Sequence, residues 1–219
     1  MAYKTPNRTS EYIRQLMALS PNQQPFADLI EYADKNSVPI LLPESVAFLS
    51  QILRVYKPKK ILEIGTAIGY SGSVMLKESQ AKLITIDMNE ELVNIAKENF
   101  NKNGFADRVK IFCGDACEII PIMEGEFDFI FVDGPKTRYI DFYPYLKKML
   151  KKDGILLCDN ILFNGMVTGE QQIGKNKNSI VEKLDLFLKT LFMDDDFASS
   201  ILPVGDGLSF SIKTKDWYK

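Results

Sequence analysis

The sequence predicts an α/β fold with a mostly parallel central sheet, and three features lead to this prediction. Short apolar runs alternate with segments of helical periodicity through most of the chain, as in repeated strand-helix-strand units. A turn with two glycines follows the first apolar run and leads into a helical segment, which lets main-chain N–H groups approach a small ligand closely. The last two apolar runs flank Gly205-Asp206-Gly207 and indicate an antiparallel hairpin that completes a seven-stranded sheet.

The individual elements follow from hydrophobic periodicity and from turn residues. Strands are predicted at residues 60–64, 82–87, 109–113, 127–133, 154–159, 199–204 and 208–213. Helices are predicted at residues 10–19, 25–35, 43–56, 71–78, 90–103, 139–150 and 179–192, and a polar loop at 163–178. The first three helices precede the repeating part, so we expect them to cap it, with Pro25 and Pro43 in first-turn positions.

Length and composition indicate one soluble domain. The chain has a formal charge of −2, and its 219 residues are enough for one well-buried core. We divide the chain into N-terminal capping helices (1–57) and the sheet-forming core domain (58–219). No apolar run reaches membrane-spanning length and the N-terminus is polar, so we expect a cytoplasmic protein without membrane contact. The cysteines Cys113, Cys117 and Cys158 suit neither a disulfide framework nor a CxxC metal site, and we expect buried free thiols.

The absence of histidine narrows the possible chemistry. Without histidine the chain has no Ser/His/Asp triad, no Cys/His pair and no histidine-ligated zinc. Any metal must be held by oxygen atoms, which hard cations such as Mg²⁺ or Ca²⁺ prefer. Acidic residues recur at or just beyond the carboxyl ends of the predicted strands, where open parallel sheets bind ligands; they are Glu63, Asp87, Asp115, Asp133 and Asp159.

The glycine turn points to adenosine without a pyrophosphate. A dinucleotide fingerprint needs G-x-G-x-x-G, but Ala67 and Tyr70 stand at its second and third glycine positions, which disfavours a nicotinamide dehydrogenase. Asp87 ends the second strand, where a carboxylate can bind both ribose hydroxyls. Asp115 and Ala116 follow the third strand, where they could meet an adenine edge. Together these positions indicate S-adenosylmethionine.

Each motif also has a purely structural interpretation. A glycine turn can be only a tight connection, Asp159-Asn160 can be a strand end with a helix N-cap, and Asp133 with Lys136 can be a surface ion pair. The occurrence of all three in one chain favours a site.

Three motifs together resemble those of the cation-dependent O-methyltransferases of the catechol and caffeoyl-coenzyme A type: residues 63–71, Asp133-Gly134-Pro135-Lys136 and Asp159-Asn160. The resemblance covers residues 38–213 and implies a Rossmann-like class I methyltransferase fold. Within this family the chain is similar to the bacterial tRNA 5-hydroxyuridine methyltransferases through residues 38–40, 58–71, 159–163 and 203–208. The chain departs from many relatives at Gly134 and Pro135, where they have two alanines, and at Phe142, where they have a second tyrosine. Proline fixes φ and could shift the lysine.

The resemblance implies a role for each matching residue. Asp133, Asp159 and Asn160 are expected to hold one Mg²⁺ or Mn²⁺, since these oxygen ligands leave positions open for a substrate with two adjacent oxygens. Lys136 and Asp133 are the implied catalytic residues, with the lysine as general base. The implied contacts of S-adenosylmethionine are Leu41, Glu63, Gly65, Ser71, Asp87, Asp115, Ala116 and Asp133.

Three functions remain open at this point. The similarity favours methylation of 5-hydroxyuridine at the tRNA wobble position, with the tRNA anticodon loop as partner. A catechol or other phenolic O-methyltransferase would share every catalytic residue, because both acceptors present two adjacent oxygens. A non-catalytic nucleotide-binding protein is the third, which the intact motifs disfavour. Relatives are commonly homodimers, so we expect a homodimer formed through the N-terminal helices.

The charges bear on the choice between RNA and a small molecule. RNA phosphates need local positive charge, and the slightly acidic composition argues weakly against RNA. Local basic patches remain candidates; their residues are Lys57, Lys59, Lys60, Arg138, Lys175 and Lys177.

Overall fold

Eight helices and seven strands make up the part of the chain that the computed structural model describes, which is residues 8–19, 25–171 and 178–214. The helices are α1 (Arg8–Ala18), α2 (Ala27–Asn36), α3 (Pro43–Tyr56), α4 (Tyr70–Glu78), α5 (Glu90–Lys102), α6 (Ala116–Ile122), α7 (Tyr139–Met149) and α8 (Asn178–Phe192). The strands are β1 (Lys60–Ile64), β2 (Lys82–Asp87), β3 (Val109–Cys113), β4 (Phe127–Val132), β5 (Leu150–Cys158), β6 (Phe197–Leu202) and β7 (Leu208–Lys213). Single 3-10 turns occur at Ala106–Arg108 and Lys136–Arg138.

The sheet has the order β3-β2-β1-β4-β5-β7-β6, and its direction of growth reverses beside β1. The chain runs outward from β1 through β2 to β3 and then returns to add β4 on the other side. All pairs among the first five strands are parallel, whereas β7 pairs antiparallel with both β5 and β6. The predicted Rossmann-like topology is confirmed. Ligands of such sheets bind at the carboxyl ends of the strands where the order reverses, here between β1 and β4.

Alternate residues of the central strands pack on opposite faces of the sheet. In β4, Ile130 and Val132 lie in an apolar cluster with α6, α7 and α8, whereas Phe129 and Phe131 lie in a second cluster with α2, α3, α4 and α5. Helices therefore cover both faces, which explains why the strands read as continuous apolar runs. The N-terminal helices α2 and α3 cover one face, as predicted.

Several predicted boundaries are wrong. Helix α2 begins at Ala27, because Phe26 adopts a left-handed conformation (φ 62°) and Pro25 lies outside the helix. Strand β5 begins at Leu150, because Leu150 already pairs with Phe127 of β4, ahead of a register irregularity that the predicted start at residue 154 follows. Strand β6 begins at residue 197. Residues 172–177 of the predicted polar loop lie outside the described residues.

Helix α6 was not predicted. Its sequence ACEIIPI is short and contains Pro121, so hydrophobic periodicity alone cannot separate it from a loop. The Asp115 carboxylate accepts a hydrogen bond from the Cys117 amide and caps the helix N-terminus. This cap fixes the first turn beside the candidate site.

Some burial predictions are also wrong. Cys113 is exposed and Cys117 is half-buried, and only Cys158 among the three cysteines is buried. Tyr12, for which the helical spacing of apolar residues predicts a core position, is 61 % exposed on α1. Ile13 and Leu16 on the same helix and Leu19 just beyond it are exposed as well. None of the helices within the described ranges has both the length and the apolar character needed to cross a membrane.

Candidate active site

A cleft of about 1180 Å³ lies at the carboxyl ends of the parallel strands. It collects nearly all of the site residues predicted from the sequence. These lining residues are Leu41, Gly65, Ser71, Asp87, Asp115, Ala116, Asp133, Lys136, Asp159 and Asn160. Glu63 is the one predicted site residue that does not line it. The cleft is larger than most sites for a single small ligand, so a cofactor and an acceptor can occupy it together.

The glycine turn forms the floor of the cleft between β1 and α4. Gly65 has a φ of +104° and Gly69 a φ of +81°, which residues with a side chain rarely adopt. A Cβ atom on Gly69 would lie 3.0 Å from the ring of Phe100. The turn therefore needs glycine both for its conformation and for its packing, and it leaves bare backbone facing the cleft.

The Glu63 carboxylate lies beneath this turn, with no exposed surface. It accepts hydrogen bonds from the Ser71 hydroxyl and from Thr85 Oγ1, the latter at 2.7 Å. The pKa of Glu63 is raised to about 8, mainly by burial and also by the nearby Asp133 and Asp87 carboxylates, against the lowering effect of these hydrogen bonds. Its position supports the first turn of α4 from below, through the hydrogen bond with Ser71.

Two acidic side chains stand at the β2 and β3 end of the cleft. Asp87 accepts hydrogen bonds from the amides of Ala67, at 2.8 Å, and Asn89, at 2.9 Å. Each carboxylate oxygen keeps a second lone pair that a ribose hydroxyl can use. Asp115 accepts from the Cys117 amide at 2.8 Å, and Ala116 lies next to it on the cleft wall.

The topology brings Asp133 and Asp159 to adjacent strand ends. Val132 of β4 pairs with Cys158 of β5, and the Asp159 amide donates to the Val132 carbonyl at 2.9 Å. Neighbouring parallel strands are about 4.8 Å apart, so the residues that follow these partners are close. The pKa of Asp159 is raised to about 8, mainly by burial and then by the charge of Asp133. The two carboxylates therefore interact.

Asn160 completes an oxygen-rich corner of the cleft. It has a φ of +57°, a conformation that asparagine tolerates better than most residues, and its amide N–H donates to Asp159 Oδ1 at 2.8 Å. No cluster of three or more carboxylate or thiolate ligands exists in the described ranges. Two carboxylates and one side-chain amide are nevertheless a ligand set that fits Mg²⁺ or Mn²⁺, and a cation there would relieve the repulsion between the buried Asp159 and the half-buried Asp133.

Lys136 lies beside this corner. Its Nζ is 2.9 Å from Asp133 Oδ1, and its side chain is 20 % exposed. Pro135 has a φ of −67°, and Lys136 begins the 3-10 turn that leads into α7. A Cβ atom on Gly134 would lie 3.1 Å from Ile64 Cγ2. The Gly-Pro departure from the family pattern therefore leaves the lysine directed at the Asp133 carboxylate.

The acceptor wall, a name used here for residues 161–165 together with 203–207, was not predicted as part of the site. The Leu162 amide donates to the Asp206 carbonyl at 3.0 Å, and the Asn164 amide donates to Asp206 Oδ1 at 2.7 Å. Several of these residues line the cleft. Residues 159–163 and 203–208, two of the motifs that resemble the tRNA methyltransferases, lie here in contact with each other. That shared resemblance was the sequence signal from which this wall could have been predicted.

Most of the predicted basic residues do not face the cleft. Lys57, Lys59 and Lys60 lie at the amino end of β1, opposite the carboxyl ends that form the cleft. Arg138 pairs with Asp141 at 3.2 Å and lines a separate groove between α6 and α7. Lys175 and Lys177 lie outside the described residues. Arg14 of α1 does line the cleft, although no motif in the sequence marked it as a site residue.

Comparisons with known proteins agree with this geometry. A family model described as O-methyltransferase matches residues 19–214. A caffeoyl-CoA O-methyltransferase from Stellaria longipes is 30% identical, with 77% of this chain and 73% of that relative covered. One from Eucalyptus gunnii is 28% identical, with 91% and 84% covered.

Solved structures agree as well. A Staphylococcus aureus structure matches with a TM-score of 0.84 and 30% identity, covering 94% of this chain and 100% of that one. The SAH-bound Podospora anserina methyltransferase PaMTH1 matches with a TM-score of 0.83 and 26% identity, covering 99% and 100%.

Proposed function

Because this chain belongs to the O-methyltransferase family and is an S-adenosylmethionine-dependent enzyme, we propose that it methylates a small phenolic acceptor with two adjacent oxygens, assisted by a divalent cation. The observation that carries this proposal is the convergence of Asp133, Asp159 and Lys136 in one cleft. The caffeoyl-CoA O-methyltransferases among the relatives support a phenolic acceptor. This is the alternative to the tRNA substrate that the sequence resemblance favours.

The proposed reaction uses the residues at the β4 and β5 ends. When bound, S-adenosylmethionine supplies the methyl group, whose bond to sulfur breaks as its bond to the acceptor oxygen forms, while Mg²⁺ or Mn²⁺ supplies positive charge that favours an ionised acceptor. Asp133, Asp159 and Asn160 would hold the cation. The acceptor hydroxyl must lose its proton, and Lys136 would take it at Nζ. The Asp133 carboxylate, 2.9 Å from that nitrogen, would stabilise the ammonium formed.

The other end of the cleft would hold the cofactor. Asp87 would accept hydrogen bonds from the ribose hydroxyls, because both of its oxygens are already fixed by backbone amides. Asp115 and Ala116 would border the adenine. Gly65 and the start of α4 would lie against the methionine portion, where a backbone without side chains permits close approach. This arrangement orients the donor toward the β4 and β5 ends and limits unproductive binding.

The test is methyl transfer from S-adenosylmethionine to matched dihydroxybenzenes. Catechol, with adjacent hydroxyls, should be methylated in the presence of Mg²⁺ or Mn²⁺, and resorcinol, with separated hydroxyls, should react at least tenfold more slowly. Chelation by EDTA should abolish the reaction, and added Mg²⁺ should restore it. Equal rates with catechol and resorcinol, or full activity in EDTA, would overturn the proposal.

Transfer RNA is the second candidate acceptor, because two motifs shared with the tRNA 5-hydroxyuridine methyltransferases lie together on the acceptor wall. The Ile161 amide donates to the Gly207 carbonyl at 3.1 Å, which joins residues 159–163 to residues 203–208. A 5-hydroxyuridine base presents its 5-hydroxyl beside the 4-carbonyl oxygen, so the same cation site would suit it. Nucleoside mass spectrometry of tRNA from a deletion strain tests this candidate. Loss of 5-methoxyuridine-type nucleosides supports it, and their persistence excludes it.

A further inference from the structure

Arg14 is a charged residue of the cleft to which the proposed reaction assigns no role. It lies on α1 and lines the cleft. Its Nε donates to Glu44 Oε1 at 2.9 Å, and the exposed fractions of the two side chains are 34 % and 9 %. The ion pair uses Nε, so the two terminal nitrogens of the guanidinium are not required for it. A buried carboxylate thus holds a half-exposed guanidinium at the cleft wall.

A series of contacts connects Arg14 with the acceptor wall. Its partner Glu44 lies in the first turn of α3, next to Ser45. A Cβ atom on Gly205 would lie 2.6 Å from Ser45 Oγ, so the acceptor wall packs directly against this helix start. The next residue, Asp206, lines the same cleft as Asp159. Arg14 therefore belongs to the acceptor side of the cleft, away from the carboxylates proposed to bind ribose and adenine.

Most of the charged side chains that line the cleft are acidic, and the guanidinium of Arg14 is an exception. Among the described residues that line the cleft, positive charge comes from Arg14 and Lys136, whereas six acidic side chains line it. Lys136 is bonded to Asp133 and is used in the proposed reaction. An acceptor that carries a negative group would be repelled by most of this surface. Arg14 offers the complementary charge, in a planar form that binds carboxylate or phosphate through two parallel hydrogen bonds.

We propose that Arg14, oriented by Glu44, recognises an anionic group on the acceptor at a distance from the reacting hydroxyl. The inference rests on the proposed function and narrows its acceptors from any vicinal diphenol to those that also carry a carboxylate. On a nucleotide acceptor, a phosphate would be the equivalent group. Arg14 contributes to acceptor specificity, and Glu44 is a positioning residue. Because the anionic group lies away from the reacting oxygen, its binding energy is expressed mainly in KM.

The experiment compares acceptors that differ only in the anionic group. The first pair is 3,4-dihydroxycinnamate and its methyl ester, and the second is 5-hydroxyuridine 5′-monophosphate and 5-hydroxyuridine. The wild type should favour the anionic member of one pair by about 10- to 100-fold in kcat/KM, the range expected for hydrogen bonds to charged groups. Arg14→Gln should bring that ratio close to one, mainly through KM. Preference within the first pair assigns a carboxylate, and within the second a phosphate.

Three further variants separate recognition from general effects on the helix. Arg8→Gln removes an exposed arginine from the same helix, outside the cleft lining, and should keep the wild-type ratio. Glu44→Gln retains the shape of the side chain but loses its charge, so the ratio should fall partway. Arg14→Lys should not keep the wild-type ratio, because lysine lacks the planar fork.

Failure of the inference can be distinguished from failure of the proposed function. If the wild type methylates both members of a pair equally, or if Arg14→Gln keeps the wild-type ratio, the inference is overturned while the methyltransferase assignment stands. If Arg14→Gln instead weakens S-adenosylmethionine binding in calorimetry and leaves the ratio unchanged, the guanidinium serves the cofactor and the inference is wrong. If the wild type methylates none of the four compounds, the proposed acceptor class fails, and the inference fails with it.

Discussion

Gly65 lies directly against the backbone of Asp133. A Cβ atom on Gly65 would lie 2.4 Å from the Asp133 carbonyl oxygen, and the Asp133 amide donates to the Ile64 carbonyl at 2.9 Å. The glycine turn after β1 and the acidic residue after β4 therefore meet through their backbones. The glycine turn, which would bind the cofactor, and the proposed cation site therefore form one unit at the point where the strand order reverses.

This contact predicts a large effect of Gly65→Ala. The substitution combines a positive φ of +104° with a clash against a carbonyl that cannot rotate away, so we expect a loss of about 2–4 kcal/mol in the free energy of unfolding. Gly104→Ala is the matched control, because Gly104 has a φ of +73° with no atom within 4 Å of the added Cβ. It should lose only about 1 kcal/mol. Urea denaturation of both variants measures the difference, and equal losses would contradict the role of the contact.

The buried Glu63 predicts a pH dependence of stability. Its pKa is raised from 4.5 to about 8 by burial, with further contributions from the Asp133 and Asp87 charges. A raised pKa means that the folded state binds the proton more tightly, so this contribution is complete below about pH 4.5 and is lost as the pH rises through about 8. Stability of the cofactor-free protein should fall by an amount on the order of a few kcal/mol over this range.

Glu63→Gln isolates that contribution. Glutamine can accept the hydrogen bond from Ser71 and donate to Thr85, but it does not ionise. The difference in unfolding free energy between wild type and Glu63→Gln, measured by urea denaturation from pH 5 to pH 9, should change in favour of the variant as the pH rises. Other titrating groups contribute to both proteins and cancel in the difference. A difference that stays constant with pH would show that Glu63 does not titrate in this window.

Lys136 should be needed for chemistry and not for cofactor binding. Lys136→Met keeps much of the side-chain volume but removes the proton acceptor, so we expect kcat for catechol to fall by about 10²- to 10⁴-fold. The affinity for S-adenosylmethionine should change less than threefold, because Lys136 lies at the β4 end of the cleft. Lys148→Met, an exposed change on α7, is the matched control. Normal turnover in Lys136→Met would remove the lysine from the mechanism.

The sequence predicted the parts of the site that lie close to a strand end. The order of strands and helices places Asp87, Asp133 and Asp159 at one edge of the sheet, and no side-chain geometry is needed to see this. Glu63 shows the limit of that reasoning, because it lies next to the last residue of β1 but its side chain is buried beneath the turn and does not line the cleft. The alternation of side chains along a strand shows which residues share one face of the sheet. It does not show which side chain at the end of a strand enters a cleft.

The rest of the site depends on contacts between distant segments, which no local pattern encodes. Arg14 reaches the cleft because α1 packs on α3, where it meets Glu44. The acceptor wall forms because Gly207, with a φ of +88°, lets the hairpin turn approach Leu162, to which an added Cβ would come within 2.4 Å. Helix α6 escaped prediction for a different reason, because its signal is a single capping aspartate before a proline-containing apolar run.

Asp159→Asn tests the proposed cation site without a large change in shape. The amide keeps one oxygen and can still accept the Asn160 N–H bond, but it removes one of the two negative charges that a divalent cation would need. Binding of Mn²⁺, followed by electron paramagnetic resonance in the absence of acceptor and cofactor, should weaken by at least about tenfold. Asp185→Asn is the matched control, since Asp185 lies on the surface of α8 and pairs with Lys189 at 2.6 Å. Unchanged Mn²⁺ binding in Asp159→Asn, together with unchanged Mg²⁺ dependence of methyl transfer, would mean that Asp159 is structural and that the cation is held by other residues.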